Sequence, residues 1–348
     1  MRPILTLAVA VACTVGLWPS RVLAQTPAIL RPSETIEAQP QGKGDKPPVI
    51  TAVAVVPGGG TIATAGDDHV VRIWNSATGK LVHRLTDHAD WVRALEFSPD
   101  GQVLASAGDD HRIVFWEPAT GKKLSTLPAH PHVIYSLAYS PDGKLLATAG
   151  FEQQVRIYDT VSLQLVKELE GPGADLRSVA FSVDGSRLAA AGRSGQVRVW
   201  KLPEGEVDLE IAANGTGRLR SLAWLPDGQK LATAGENRLI SVWDAHTGAP
   251  LRRIQCPTGK LLSMAVCGEN LIATGGSDNV IRIWNWQTET ESEHLLGHTG
   301  SVASLAFDAV SGTIISGSFD TTVRVWKLKP PSAGADTAGD VDQDSRVR

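Results

Sequence analysis

A histidine, a hydroxyl residue and an acid recur together in this chain, and such a set could carry out nucleophilic chemistry. In serine hydrolases a histidine takes the proton of the hydroxyl while an acid orients that histidine. Each set here also ends on an aromatic residue. The sets are His88, Ser106, Asp110 and Trp116, then His298, Ser316, Asp320 and Trp326 at the same offsets, and a partial third of His130, Thr148, Glu152 and Tyr158.

The recurrence of these sets argues against catalysis. An active site is normally single, whereas this pattern returns along the chain, and no G-x-S-x-G nucleophile elbow accompanies any copy. The sequence also lacks a Walker loop, an H-E-x-x-H helix, a C-x-x-C pair and any group with metal-ligand spacing. We therefore expect no catalytic residue, no metal and no cofactor, and we interpret the sets as structural.

The elements that would position these residues come from an internal repeat. A small residue, a glycine and a turn acid precede a β-branched strand that closes on an aromatic residue, with successive aromatics 41 to 43 residues apart. This period and this richness in short strands are typical of four-stranded propeller blades. The closing aromatics are Trp74, Trp116, Tyr158, Trp200, Trp243, Trp284 and Trp326.

The repeat predicts an all-β fold, a seven-bladed β-propeller of four-stranded antiparallel blades. Turns such as Ser98–Gly101 join the first two strands, because proline presets φ and glycine accepts positive φ. After Trp326 the chain loses strand character, so the last blade lacks a fourth strand. We expect Thr35–Gln39 to supply that strand and to close the ring, which would cover two exposed sheet edges. An unstructured linker beside an incomplete final blade is the alternative.

These residues resemble the WD-repeat β-propeller family over about positions 49 to 328. The resemblance rests on the repeat, the Ser-Pro-Asp-Gly turns, the histidine-bearing lead-in and the closing Val-Arg-Ile-Trp type of strand. It implies that each four-residue set is a buried hydrogen-bond network that joins the lead-in loop to the third strand. In four blades another residue takes the place of the histidine, and we expect those blades to rely on packing. The replacements are Lys46, Pro172, Gly215 and Pro257.

The resemblance also implies that a partner binds the face formed by the lead-in loops and the turns between second and third strands. Exposed aromatic and arginine side chains on such a rim are favoured at interface hot spots. The candidate residues are Trp91, Asp67, Asp109, Phe151, Arg193, Phe319 and Arg218.

The ends of the chain have a different composition. Met1–Ala24 reads as a secretory signal peptide cleaved after Ala24, with an uncleaved anchor as the alternative. Residues 25–34 are expected to be a linker, 35–328 the propeller and 329–348 a disordered tail. Because Cys256 and Cys267 lie near opposite ends of one expected strand, we predict two free thiols.

The net charge of −4 and the lack of a long basic run argue against binding nucleic acid. The sequence thus predicts an exported, periplasmic or secreted monomer that is a non-enzymatic scaffold for a protein or peptide partner. It would associate with a membrane only through an uncleaved or lipidated leader. The alternative function is a periplasmic propeller enzyme or small-ligand binder that uses the central channel.

Overall fold

Seven sheets form the described part of the molecule, and each contains four antiparallel strands, as predicted from the repeat. The computed structural model describes residues 27–38, 46–213 and 217–328, and these residues contain strands and no helix. In each of the first six blades, four strands follow one another in chain order. The seventh blade has three such strands and takes its fourth from the N-terminal segment.

The strands are short and follow the repeat closely. Blades 1 and 2 comprise β3 Ile50–Val55, β4 Thr61–Gly66, β5 Val70–Asn75, β6 Leu81–Thr86, β7 Val92–Phe97, β8 Leu104–Gly108, β9 Ile113–Glu117 and β10 Lys122–Thr126. Blades 3 and 4 comprise β11 Ile134–Tyr139, β12 Leu145–Gly150, β13 Gln154–Asp159, β14 Leu165–Glu170, β15 Leu176–Phe181, β16 Arg187–Gly192, β17 Gln196–Lys201 and β18 Glu206–Ala212. Blades 5 to 7 comprise β19 Leu219–Trp224, β20 Lys230–Gly235, β21 Leu239–Asp244, β22 Pro250–Gln255, β23 Leu261–Val266, β24 Leu271–Gly276, β25 Ile281–Asn285, β26 Thr290–Leu295, β27 Val302–Asp308, β28 Thr313–Ser318 and β29 Thr322–Lys327.

The turn between the first two strands of a blade has a local cause in its sequence. In blade 2 the hydroxyl of Ser98 donates to Asp100 at 2.5 Å and accepts the backbone N–H of Val103 at 2.9 Å. Gly101 adopts a φ of +71°, which a residue without a side chain reaches at little cost. These contacts fix the point at which the first strand ends and the second begins.

The first strand of every blade lies innermost, because successive first strands contact one another around the ring, including β27 with β3. A layer of apolar side chains separates each pair of neighbouring blades. In the layer between blades 1 and 2, Ala63 and Ala65 face Leu95 and Trp116, so small residues of one blade receive large residues of the next. This interdigitation holds the loops at each end of the ring in fixed positions.

The closure predicted for the ring is confirmed, with a shift of bounds. Strand β2, Glu34–Glu37, pairs antiparallel with β29 of blade 7 as its outer strand. Ile36 is only 5% exposed and lies in the apolar layer between blades 7 and 1. The chain therefore joins its beginning to its last blade, which leaves β29 without an open edge.

One part of the expected linker is structured instead. Strand β1, Ala28–Leu30, pairs parallel with β26 and makes blade 6 a five-stranded sheet. The expectation of a linker over 25–34 is therefore wrong for this strand and for Glu34. Ordering is favoured because Leu30 packs against the layer between blades 6 and 7, which offsets the entropy lost by a short segment.

Several predictions fall on residues outside the described ranges. They are the leader Met1–Ala24, the whole tail 329–348, and Gln39 at the end of the expected closing strand. Cys256 and Cys267 are free and buried, and burial raises the pKa of each thiol to about 12. Within the described ranges no helix is long and apolar enough to cross a membrane.

Candidate functional site

The structure brings His88, Ser106, Asp110 and Trp116 together between the lead-in loop and the second and third strands of blade 2. The Nε2 of His88 lies 2.7 Å from the Ser106 hydroxyl, and its Nδ1 lies 2.7 Å from Oδ2 of Asp110. The indole N–H of Trp116 donates to the same hydroxyl at 2.8 Å. The four side chains thus satisfy one another and tie the loop to the sheet.

The second set repeats this geometry in blade 7. The Nε2 of His298 lies 2.7 Å from the Ser316 hydroxyl, and its Nδ1 lies 2.8 Å from Asp320. Trp326 donates to Ser316 at 2.8 Å. Two blades that are not neighbours therefore carry the same arrangement.

The third set is looser and includes an unexpected arginine. His130 lies 3.3 Å from the Thr148 hydroxyl and 3.1 Å from Glu152, while Arg156 pairs with Glu152 and lies 3.2 Å from the histidine. Burial lowers the pKa of His130 to about 4, and the charge of Arg156 adds to this effect. The imidazole is therefore neutral at pH 7, which suits a contact with a guanidinium.

Burial separates these sets from a hydrolase triad. Ser106 and Ser316 have no exposed surface, so an incoming acyl group cannot reach either hydroxyl. Burial alone would raise the pKa of Asp110, but its hydrogen bond with His88 and the backbone N–H groups of Ala89 and Arg112 hold it below its usual value. The arrangement can fix a loop, and it offers no accessible nucleophile.

The expectation that blades without the histidine rely on packing is wrong for three of the four. In each of these three, an arginine two positions before the closing tryptophan makes a polar link. Arg72 donates to Asp68 at 3.1 Å in blade 1, and Arg282 donates to Asp278 at 2.6 Å and to Thr258 at 3.1 Å in blade 6. Arg198 donates at 2.7 Å to the carbonyl of Glu170, just before the lead-in of blade 4.

Blade 5 has a serine at the position of that arginine. The indole N–H of the closing Trp243 still donates a hydrogen bond to the Thr233 hydroxyl, at 2.9 Å. A cavity of about 10 Å³ remains beside these two residues, and the guanidinium of Arg253 lies 5.6 Å from the Trp243 ring. Gly215, which takes the place of the histidine in this blade, lies outside the described residues.

The candidate binding residues lie along one face of the ring, because backbone hydrogen bonds join each second-to-third turn to the lead-in loop of its blade. The backbone N–H of Asp109 donates to the carbonyl of Trp91 at 2.8 Å, and that of Phe319 donates to Ser301 at 3.0 Å. The same bond recurs in blades 3 to 6. In blade 1 the Asp67 side chain takes this role and accepts the N–H of Val49 at 2.9 Å.

Asp109 is not the free outward acid that the sequence suggested. Its carboxylate accepts two hydrogen bonds from the guanidinium of Arg93, at 2.9 and 2.6 Å. The same guanidinium lies 4.4 Å from the centre of the Trp91 ring, which is itself partly buried. Trp91, Arg93 and Asp109 therefore form one unit on blade 2.

The remaining candidates are more open. Phe151 is 54% exposed and Phe319 is 47% exposed, so both rings present apolar surface to solvent. Arg193 is exposed and Arg218 is partly exposed, and among the described residues neither side chain has an acidic partner. Trp91 and Phe151 lie on adjacent blades, whereas Phe319 lies two blades from Trp91, so the three rings do not form one patch.

The sequence reasoning missed the second residue of each first strand. A bulge interrupts the pairing at this residue in all seven blades, and a bulge changes the direction of a side chain. On blades 3 and 4 the guanidinium of Arg177 lies 3.8 Å from the Tyr135 ring and 2.6 Å from Asp175. The position is the same in every repeat, but no local sequence pattern marks the bulge. The residues are Thr51, Arg93, Tyr135, Arg177, Arg220, Leu262 and Ala303.

The opposite end of the ring has a different character. There the first strands end around a cavity whose lining side chains are apolar apart from one acid, Glu96, while polar atoms form the larger part of its surface. Among the described residues there is no group of three or more histidine, cysteine or acidic side chains placed to hold a metal.

Comparison with known proteins identifies the repeat. The family described as WD domain, G-beta repeat matches seven segments of the chain. They are residues 39–75, 79–117, 121–159, 163–201, 210–244, 248–285 and 290–327.

Similarity to individual curated proteins is limited to short stretches. A periodic tryptophan protein 2 homolog of Neurospora crassa is 42% identical over 59 residues, 17% of this chain and 7% of that protein. A probable coatomer subunit beta' of Schizosaccharomyces pombe is 42% identical over 55 residues, 16% of this chain and 7% of that protein. A WD repeat-containing protein 26 homolog of Drosophila melanogaster is 36% identical over 70 residues, 20% of this chain and 11% of that protein. The matched stretches thus span about a tenth of these relatives or less.

Proposed function

The chain belongs to the WD domain, G-beta repeat family, and from that premise we propose that it is a non-enzymatic scaffold that binds a protein or peptide. The binding surface is the face that carries the lead-in loops and the turns between second and third strands. The observation that carries the proposal is the pair of arginine–aromatic stacks on this face, Arg93 with Trp91 and Arg177 with Tyr135. Aromatic and arginine side chains dominate the energy of protein interfaces.

The exposed rings extend this surface. Phe151 follows the second strand of the blade that carries Tyr135, and Phe319 occupies the same position in blade 7. A partner that covers either ring would remove apolar area from water, which favours association by about 25 cal/mol per Å² before the costs of binding. Arg193 and Arg218 would add charge complementarity toward an acidic segment of the partner.

Two further observations support a scaffold over an enzyme. The serine hydroxyls of the histidine sets are buried, and the arginines near the channel mouth are already paired with acids. A function in the central channel is the second candidate, and Glu96 is the observation that favours it.

The binding face is tested by affinity capture from envelope extract with three forms of the full chain. One is the wild type, and one is a Trp91→Ala, Phe151→Ala, Phe319→Ala triple variant. The third is a control with Val161→Ala, Val183→Ala and Val310→Ala, which are 88%, 54% and 76% exposed in turns of the opposite face. The proposal expects proteins retained by the wild type and the control to be lost with the first variant. Equal retention by all three forms would contradict the assigned face.

The proposed site of action is outside the cytoplasm, and the leader Met1–Ala24 is the support for it. Intact-mass measurement of the chain from its native host should give a mature protein that begins at Gln25. A full-length mass in the cytoplasmic fraction would overturn this part of the proposal and leave the binding face untouched.

A further inference from the structure

A cavity of about 310 Å³ lies at the end of the ring opposite the proposed binding face. It lies among the ends of the first strands β3, β7, β23 and β27, and so at the centre of the ring. Every lining side chain except that of Glu96 is apolar. Those that shape the cavity are Val55, Phe97, Val266, Leu305 and Phe307.

Glu96 departs from the repeat at this position. The other six first strands carry an alanine where β7 carries this acid. Among the described residues none donates a hydrogen bond to the carboxyl group or pairs with it, and it is partly buried. The alanines are Ala54, Ala138, Ala180, Ala223, Ala265 and Ala306.

We propose that this cavity binds a small alkylammonium cation, whose charged head pairs with the carboxylate of Glu96 while its alkyl chain contacts the apolar lining. A partly buried carboxylate without a partner among the described residues loses part of its hydration, and a cation beside it offsets that cost. The site lies on the opposite face from the proposed partner surface, so it does not rest on the scaffold function and instead gives the channel function, the second candidate, a class of ligand.

Protonation of Glu96 would compete with the cation. Burial raises the pKa of Glu96 to about 8, so the carboxyl is mostly neutral at pH 6. Of its titratable neighbours, Tyr139 stays neutral because burial and the charges of Glu96 and Asp100 raise its pKa further. Asp100 stays ionised because its hydrogen bonds with Ser98 and Gln102 lower its pKa. The lining residues of β3, β23 and β27 carry no titratable side chain. Binding of a cation is therefore coupled to release of a proton from Glu96.

The test is isothermal titration calorimetry of the full chain with n-butylammonium chloride and with n-butanol, its neutral counterpart. A primary ammonium remains charged at both pH 6 and pH 8. At pH 8 the amine should bind at least tenfold more tightly than the alcohol, and its affinity should fall at least tenfold at pH 6. Titrations in two buffers of different ionisation enthalpy should show proton release on binding near pH 7.

Two variants make the test specific. Glu96→Gln keeps the size of the side chain and should reduce the affinity for the amine to that for the alcohol. Glu206→Gln, on the exposed outer strand of blade 4, should bind like the wild type. The proposal is overturned if amine and alcohol bind equally, if neither binds, or if Glu96→Gln retains the preference for the amine. Each of these results leaves the capture experiment on the opposite face unaffected.

Discussion

At the scale of single residues, burial and hydrogen bonding distinguish side chains with a structural role from side chains that are open to a ligand. Ser106 and His88 are the groups that first suggested catalysis, yet both side chains are buried and satisfied. Phe151 belongs to no catalytic motif and Glu96 to no motif at all, yet Phe151 is exposed and Glu96 lacks a partner among the described residues. Solvent exposure and the lack of a hydrogen-bonding or ionic partner therefore distinguish candidate ligand-binding residues from structural ones better than residue type does.

Removal of the buried histidine should destabilise the fold. In a His88→Ala variant, Ser106 and Asp110 each lose a partner, and buried groups left unpaired cost about 1–3 kcal/mol. Chemical denaturation should show this decrease in the free energy of unfolding. A suitable control is His111→Asn, because His111 lies in a turn with a φ of +62°, a conformation that asparagine tolerates better than alanine. Equal losses in the two variants would contradict the structural role of His88.

Glu96 should make stability fall as pH rises. Its pKa is raised on folding from 4.5 to about 8, so the folded state holds the proton more tightly than the unfolded state. The stabilisation is fully present below the unfolded pKa and is lost as pH rises through the folded one, at up to about 1.4 kcal/mol per pH unit. Thermal denaturation should therefore give Glu96→Gln a higher Tm than the wild type at pH 8 and a similar Tm at pH 4.5. If the Tm of the wild type and that of Glu96→Gln changed equally with pH, Glu96 would not be the cause of the pH dependence.

At the scale of elements, the N-terminal segment fastens two blades. Strand β1 extends blade 6, the hydroxyl of Ser33 donates to Val325 at 2.9 Å, and strand β2 completes blade 7. A ring of blades would otherwise leave a seam where the last blade meets the first. The segment thus converts an open array into a closed ring.

The closure can be tested with two isoleucines of the same segment. Ile36 is 5% exposed and packs in the layer between blades 7 and 1, so Ile36→Ala should cost about 2–5 kcal/mol. Ile29 is 62% exposed, and Ile29→Ala should change stability by no more than about 0.5 kcal/mol. Urea denaturation of both variants measures the difference. Similar midpoints for the two would contradict a role for β2 in closing the ring.

Much of this architecture could be predicted from the sequence, because short local patterns specify the turns and strands and recur in every blade. The turn at Ser98–Gly101 and the β-branched strand before Trp116 each specify their own conformation, and repetition strengthens every such signal. Strand β1 could not be predicted, because Ala28–Leu30 has no alternating pattern and depends on a parallel partner far along the chain. The same holds for the link from Arg198 to Glu170, which exists only once the strands are paired.

The candidate site was predictable in position and less so in detail. The face was inferred from the family pattern, and Phe151 and Phe319 are exposed on it. The bulge that places Arg93 beside Trp91 and Asp109 arises from the mismatch of two strands, so no local sequence signal announces it. Asp109 consequently looked free in the sequence and is paired in the structure.

At the scale of the whole molecule, the two ends of the ring differ in chemistry. One end carries arginine–aromatic stacks and exposed phenylalanines, whereas the other has a cavity with apolar lining side chains and a single acid. The blades pack closely through seven apolar layers. A ligand can therefore bind at one end of the ring without a conformational change at the other end. We therefore expect the two proposed sites to act independently.

Site-specific photocrosslinking in the native host can show whether a protein partner docks on the face of the lead-in loops. A photoreactive phenylalanine analogue would replace Phe151 on this face and, in a separate variant, Val161 on the opposite face, where both native side chains are exposed. We expect a discrete crosslinked protein from position 151 and none from position 161. Crosslinks from position 161 alone, or from neither position, would contradict it.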